Sequence, residues 1–202
     1  ASFWSGIDEA PVERQSGIMG IDSLVFAPRL ASDSCSDVER PYICGVAAGL
    51  FWRFELVGEW RYRHITLTEA CGTELCLMIF PRYFPQLQLM VESDASSALA
   101  AATATASASD LRYCKQRARE VPGYKEAEQR AWTTHAKGYA NGLSDRGSRD
   151  KMSEMYELAA AFGMRLREVP VPREAMEYMA DVLANTTHID AAADAHVTTD
   201  TS

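Results

Sequence analysis

Four histidines are the side chains of this chain best suited to acid–base chemistry, and they are widely spaced in the sequence. His64 and His135 could each act as a general base in a cleft, although a core histidine with one hydrogen-bond partner is the commoner use of such a residue. A site built from scattered residues leaves no spacing signature. The candidate catalytic residues are therefore His64, Glu69, His135 and Tyr139.

A cluster of imidazole and carboxylate side chains lies in the Ala- and Thr-rich segment near the end of the sequence, at His188, Asp190, Asp194 and His196. These ligand types suit a divalent cation. A metal site also needs a rigid frame with supporting hydrogen bonds, which this composition does not promise. The sequence therefore predicts no bound metal there. No cofactor is expected either, because no phosphate loop or dinucleotide fingerprint occurs.

Five cysteines are present, at positions Cys35, Cys44, Cys71, Cys76 and Cys114. Their spacing matches none of the usual zinc patterns, and an odd count argues against a disulfide framework. We interpret them as buried thiols in a reducing, cytoplasmic-type compartment, with an organelle or a virion left open. No run of 18 apolar residues occurs, so we expect a soluble chain without a membrane span.

Charged residues of both signs alternate with apolar ones after residue 51. Arg53, Glu55, Glu59, Arg61 and Arg63 share one parity, opposite to Trp and Phe side chains. Such a strand face is usually solvated, but it is also self-complementary and could bind a second copy or another protein. The predicted interaction face consists of these five residues together with Phe3 and Trp4 of an N-terminal arm.

The charge balance bears on the choice of partner. The chain has a formal net charge of −8. Residues 110–168 contain 12 Arg or Lys and 9 Asp or Glu, against 7 and 13 in residues 1–94. Because nucleic-acid binding depends on neutralising phosphates, nucleic acid is the less favoured partner, and protein partners or a second copy are favoured. The helical half does contain a short basic row, at Arg112, Lys115, Arg117 and Arg119.

The hydrophobic period changes along the chain and predicts the elements. Apolar residues recur every second residue over 42–92, which predicts antiparallel strands joined by short turns, including a buried strand over 75–80. Residues 31–41 have the composition of a loop. After residue 110 the period is helical, and helices are expected near Leu111, over 124–139, near Met152 and after Pro172.

These elements predict an α+β fold with an antiparallel sheet in the N-terminal half and about four helices in the C-terminal half. The expected organisation is a β-rich half with its arm over 1–94, an Ala/Ser/Thr-rich linker over 95–109, a helical half over 110–186 and a polar tail over 187–202.

The leading functional hypothesis at this point is a non-catalytic assembly or protein-interaction subunit of a larger complex or shell. It rests mainly on the lack of a nucleophile elbow or other local catalytic motif. Two alternatives stay open: a small enzyme with a scattered site around His64 and His135, and a module that binds a small molecule between the helices and the sheet.

Overall fold

A computed structural model describes residues 27–93, 108–135 and 141–186 of the chain. The described part contains six strands: β1 (Arg29–Ser34), β2 (Tyr42–Ala47), β3 (Leu50–Glu55), β4 (Leu89–Ser93), β5 (Ala131–His135) and β6 (Arg167–Glu168). Its α-helices are α1 (Ile65–Ile79), α2 (Ala108–Ala118), α3 (Tyr124–Gln129), α4 (Gly142–Ser148), α5 (Met152–Ala161) and α6 (Arg173–Asn185). Short 3-10 turns cover Gly58–Tyr62 and Phe80–Arg82. The N-terminal arm, nearly all of the predicted linker and the polar tail lie outside the described residues.

One mixed sheet runs through the molecule in the order β5-β4-β1-β2-β3-β6. β2 is antiparallel to β1 and β3, as predicted, whereas β1 pairs in parallel with β4, β4 with β5, and β3 with β6. Ala48 and Gly49 join β2 to β3 with positive φ values of 47° and 79°, the backbone of a tight hairpin turn. The predicted α+β class is confirmed, with a sheet that is mixed rather than wholly antiparallel.

The main core lies between the sheet and α1, and it corrects the prediction of a strand over 75–80. α1 packs on β1 and β2, while α2, α3 and α6 pack against α1. The helix is therefore covered on most of its circumference, and Leu75, Cys76 and Phe80 are fully buried. A continuous apolar run occurs in buried strands and buried helices alike, so the pattern alone could not separate them.

Two central features of the sheet also differ from the predictions. Residues 29–34, placed partly in a loop by composition, form β1 in the middle of the sheet. The helix predicted over 124–139 ends at Gln129, and β5 follows, paired along its length with β4. β-branched threonines and the exposed edge of β4 favour the strand there. The helices predicted near Leu111, Met152 and Pro172 are confirmed as α2, α5 and α6.

The opposite face of the sheet carries α4 and α5. Alternation along β2 turns Ile43 toward α1 and turns Cys44 and Val46 toward a second, smaller core with Phe51 and Met155. The five cysteines are buried and unbridged, as predicted. Across the described ranges, no helix has the length and apolar content needed to cross a membrane.

Candidate functional site

Three parallel strands bring reactive residue types to one edge of the sheet. β1, β4 and β5 run in the same direction, so their carboxyl ends lie side by side, the usual location of ligand sites in such sheets. Asp33 is the last residue but one of β1, Glu92 lies near the end of β4, and His135 is the last residue of β5. The register places Glu92 opposite Ala31, and His135 opposite Ser93.

Asp33 is held against α4 by a serine. The Ser148 hydroxyl donates to the Asp33 carboxylate and also lies 2.9 Å from the carbonyl oxygen of Asp145. Ser148 is fully buried. One hydroxyl group therefore fixes the end of β1 relative to the turn of α4 that carries Asp145.

The position of α4 follows from two further contacts. The buried Asn141 side chain donates from Nδ2 to the Ser32 carbonyl oxygen over 3.0 Å. A Cβ at Gly147 would lie 2.3 Å from Sγ of Cys44, so only glycine permits this approach of the helix to β2. These contacts seat α4 directly over β1 and β2, and so bring Asp145 to the same end of the sheet as Asp33.

An arginine already neutralises part of this acidic edge. The Arg149 guanidinium binds Asp145 (Nε to Oδ1, 2.8 Å) and Asp37 (Nη1 to Oδ1, 3.2 Å). The Cys35 thiol donates to Asp37, and this hydrogen bond together with Arg149 lowers the pKa of the Asp37 carboxyl. Burial, aided by that hydrogen bond, raises the pKa of the Cys35 thiol to about 11. Cys35 is therefore a neutral donor at neutral pH and not a reactive thiolate.

α1 contributes a further carboxylate. Ser34 donates to Oγ1 of Thr68 over 2.7 Å, and Glu69 is the next residue of the helix. Glu69 is half-buried. We call the four residues brought to this end by β1, β4, α1 and α4 the carboxylate edge: Asp33, Glu69, Glu92 and Asp145. Among them Glu92 is largely buried and pairs with Arg29 over 3.3 Å.

The four predicted catalytic residues have different locations. Glu69 belongs to the carboxylate edge, and His135 ends β5 beside it in the sheet. His64 precedes α1, and its Nδ1 accepts the backbone N–H of Thr66, so it caps the helix. Tyr139 lies outside the described residues, as do the candidate metal ligands His188, Asp190, Asp194 and His196.

Sequence reasoning missed Asp33 and Asp145. They are 112 positions apart, and no local spacing relates them. The close seating of α4 on β2 brings them near each other, with the Ser148 hydroxyl in contact with both residues. Within the described residues, no group of three or more His, Cys, Asp or Glu side chains is arranged to hold a metal.

The residues of the predicted interaction face divide between two elements. Arg53 and Glu55 belong to β3, whereas Glu59 and Arg61 lie in the 3-10 turn that follows. Arg53 binds Asp150 and stacks on Tyr42 with 3.6 Å between its Cζ and the ring centroid.

The other members of this face also contact the chain itself. Arg40 binds Glu55 over 3.2 Å, Arg61 donates to the carbonyl oxygen of Glu39, and Arg63 is buried against the end of α6. Phe3 and Trp4 lie outside the described residues.

Comparison with known proteins found no match among protein-family models, curated proteins or solved structures. The functional conclusion therefore rests on the residues and their geometry.

Proposed function

We propose that this protein is an enzyme that hydrolyses phosphodiester bonds in nucleic acid with the help of divalent metal ions bound at the carboxylate edge. The observations that carry the proposal are that Asp33 lies near the carboxyl end of β1, that Ser148 of α4 binds it, and that the neighbouring Ser34 contacts Thr68, the residue before Glu69. Acidic side chains gathered beside the ends of parallel strands suit the binding of hard cations and phosphate esters.

The ligand set fits Mg²⁺ or Mn²⁺ better than a fully protein-bound metal. Mg²⁺ keeps several waters and is usually held by one or two carboxylates together with oxygens of the substrate phosphate. In this proposal Asp33, Glu69 and Asp145 would hold the ion. Such ions lower the pKa of bound water and offset charge on the phosphate. Asp145 must exchange its Arg149 partner for the cation.

His135 has a separate role in the proposal, because it ends the strand beside β4. An imidazole can pass a proton to the leaving oxygen of a phosphodiester. The carboxylate edge lies at a strand end rather than in a deep closed cavity, and this favours a polymer over a small phosphate ester. The proposal is thus a more specific form of the hypothesis of a scattered enzyme site. It keeps Glu69 and His135 as candidate site residues and adds Asp33 and Asp145.

The assembly-subunit hypothesis remains a proposal as well, and the structure gives it less support. Its arginines and glutamates are engaged in contacts within the chain at Arg53, Glu55 and Arg63. One cleft among the described residues lies on the surface of α2 and α3 and not between the helices and the sheet, so it does not support the small-molecule module.

The test measures cleavage and metal binding separately. Labelled single strands, duplexes and an RNA–DNA hybrid are incubated with the protein and Mg²⁺ or Mn²⁺, and Mn²⁺ binding is measured by titration calorimetry. We expect metal-dependent cleavage that falls at least about 100-fold in D33N and D145N, since each removes a charged ligand. Both variants should also bind Mn²⁺ more weakly.

Matched controls separate chemistry from folding. E157Q removes the same charge from an exposed position of α5 and should keep wild-type activity. Circular dichroism must show D33N and D145N folded. Asp94 directly follows β4 in the sequence and lies outside the described residues, and D94N extends the test to it. Absence of both Mn²⁺ binding and cleavage in the folded wild-type protein would contradict the proposal.

A further inference from the structure

A basic cleft lies on the surface formed by α2 and α3, away from the carboxylate edge. It has a volume of about 470 Å³. Its lining contains four cationic side chains, one amide and one acidic side chain: Arg112, Lys115, Arg119, Lys125, Gln116 and Glu120. In a chain with a net charge of −8, a local concentration of positive charge is a specific feature of the surface and not a consequence of composition.

Helical periodicity places the cations on one side. Positions 112, 115, 116 and 119 follow the i, i+3, i+4, i+7 pattern of a single helix face, opposite the buried Cys114 and Ala118. Gly123, with a φ of 81°, then turns the chain so that α3 begins beside α2 and adds Lys125. The basic face is therefore built by the fold and includes residues from two helices.

Two of the cations are held in fixed positions. Lys115 Nζ lies 2.7 Å from the Tyr124 hydroxyl and 2.9 Å from Glu128. Arg119 binds Glu128 with both arms of its guanidinium, at 3.0 and 3.1 Å. Glu128 thus orients both cations, and Lys115 has a second carboxylate neighbour in Glu74 at 3.4 Å. Such fixed donors lose less conformational freedom on binding an anion than free side chains lose.

The other two cations have no carboxylate partner inside the described ranges. Arg112 and Lys125 are exposed, and no ion pair is formed by either of them among these residues. Their charges are available to a ligand without the loss of an existing ion pair.

We propose that this cleft binds the phosphate backbone of a nucleic-acid strand and holds it for cleavage at the carboxylate edge. The inference rests on the proposed function for its choice of ligand. α1 connects the two places: Lys115 contacts Glu74, and Glu69 lies five residues earlier on the same helix, about 7.5 Å along its axis. Five residues also turn the position by about 140° around the helix, so the two places lie on different sides of α1. A strand of several nucleotides is long enough to reach from the cleft to the carboxylate edge. An acidic polypeptide would also complement the positive charge of the cleft, but it has no phosphodiester bond for the carboxylate edge to hydrolyse.

The test is strand binding without cleavage. Fluorescein-labelled single strands are titrated in Ca²⁺ or in EDTA at several salt concentrations, with wild type and R112Q/K125Q. We expect the double variant to bind about 10-fold more weakly at low salt. The slope of log affinity against log salt should become shallower by about 1.4, because each lost phosphate contact to a single strand contributes about 0.7. Labelled polyglutamate of equal charge is titrated in parallel.

R165Q/R167Q is the matched control. It removes two exposed arginines at β6 and gives the chain the same net charge as R112Q/K125Q. It should bind strands like wild type. Equal weakening in both double variants, or tighter binding of polyglutamate than of nucleic acid, would overturn the inference. Cleft-dependent binding without any cleavage in Mg²⁺ or Mn²⁺ would support the cleft and count against the proposed hydrolysis. If R112Q/K125Q changes neither cleavage nor binding, the proposed role of the cleft is wrong, and the proposed hydrolysis is unaffected.

Discussion

Glu74 is a carboxylate buried in the middle of α1, beneath the basic cleft. It accepts a hydrogen bond from the Tyr124 hydroxyl and lies 3.4 Å from Lys115 Nζ. Burial raises the pKa of Glu74 even though Lys115 and Tyr124 act in the opposite direction. Burial and the neighbouring Glu74 carboxylate also raise the pKa of Tyr124 far above its ordinary range, so its hydroxyl stays a donor. The ionised form of Glu74 is thus less favourable in the folded state than in the unfolded chain.

This predicts a pH-dependent effect of E74Q. A carboxyl group whose pKa is raised in the folded state stabilises that state most at pH values below its unfolded pKa. This stabilisation is lost as pH rises through the folded pKa. The free energy of unfolding of E74Q relative to wild type should therefore increase as pH rises from the unfolded pKa of Glu74 to its higher folded pKa. The increase should be about 1.4 kcal/mol for each unit by which the folded pKa exceeds the unfolded one. Urea denaturation across this range measures it.

E128Q provides a control in which the pH dependence of stability is expected to have the opposite sign. The hydrogen bond from Arg119, with Lys115 beside it, lowers the pKa of Glu128. Wild type should therefore gain stability relative to E128Q as pH rises above the folded pKa of Glu128, the reverse of the E74Q trend. If both variants shift in the same direction with pH, the electrostatic account of this cluster is wrong.

Residue types alone suggested part of the candidate site. Glu69 and His135 could be chosen from the sequence because imidazole and carboxylate groups do acid–base chemistry. Asp33 could not, since a Ser- and Asp-rich stretch has loop composition although it forms a central strand. Asp145 acquires its place only through Gly147 and Asn141, whose contacts with β2 and β1 are tertiary.

At the scale of elements, the end of α6 depends on a single arginine that lies between the 3-10 turn Gly58–Tyr62 and α1. Arg63 donates from Nη2 to the Leu183 carbonyl oxygen over 2.8 Å and from Nη1 to the carbonyl oxygen of Thr186. Its side chain is only 7% exposed. The last carbonyl groups of a helix have no partner within the helix, so this guanidinium acts as its C-terminal cap.

We expect R63M to destabilise the protein by about 2–3 kcal/mol, because it leaves buried carbonyl oxygens of α6 without donors. R61M is the matched control: Arg61 is exposed two residues earlier, and its loss should cost less than about 0.5 kcal/mol. Urea denaturation gives both values, and hydrogen exchange should rise first in the last turn of α6. Similar, small effects in the two variants would show that Arg63 does not cap the helix.

Elements were predictable where one face of them is exposed. α5 and α6 keep a polar side, so their helical period is visible in the sequence. α1 has little exposed surface and shows a continuous apolar run, which a buried strand shares. β5 was hidden in a helical pattern because its strand conformation depends on pairing with β4, which is separated from it by about 40 residues. Local pattern cannot report such pairing.

At the scale of the whole molecule, the two halves predicted from the sequence share one hydrophobic core. Leu30 and Trp52 precede the Ala/Ser/Thr-rich segment, Tyr178 and Val182 follow it, and all four are fully buried in the same cluster. β5 and β6 extend the sheet on both sides with strands from the second half. Each half alone would expose apolar surface that the other now covers, at about 25 cal/mol per Å².

The chain should therefore unfold in a single cooperative transition. In a W132F background, which removes the tryptophan of β5, Trp52 and Trp60 report on the first half through fluorescence. The far-ultraviolet circular dichroism at 222 nm reports mainly on helices, most of which lie in the second half. We expect the two urea curves to coincide, as two-state unfolding requires. A protease site placed within residues 95–107 adds a sharper test: after cleavage the fragments should still co-elute, because the shared core holds them together. The uncleaved variant must unfold at the wild-type midpoint. Separate transitions, or fragments that part on cleavage, would instead establish two independent domains.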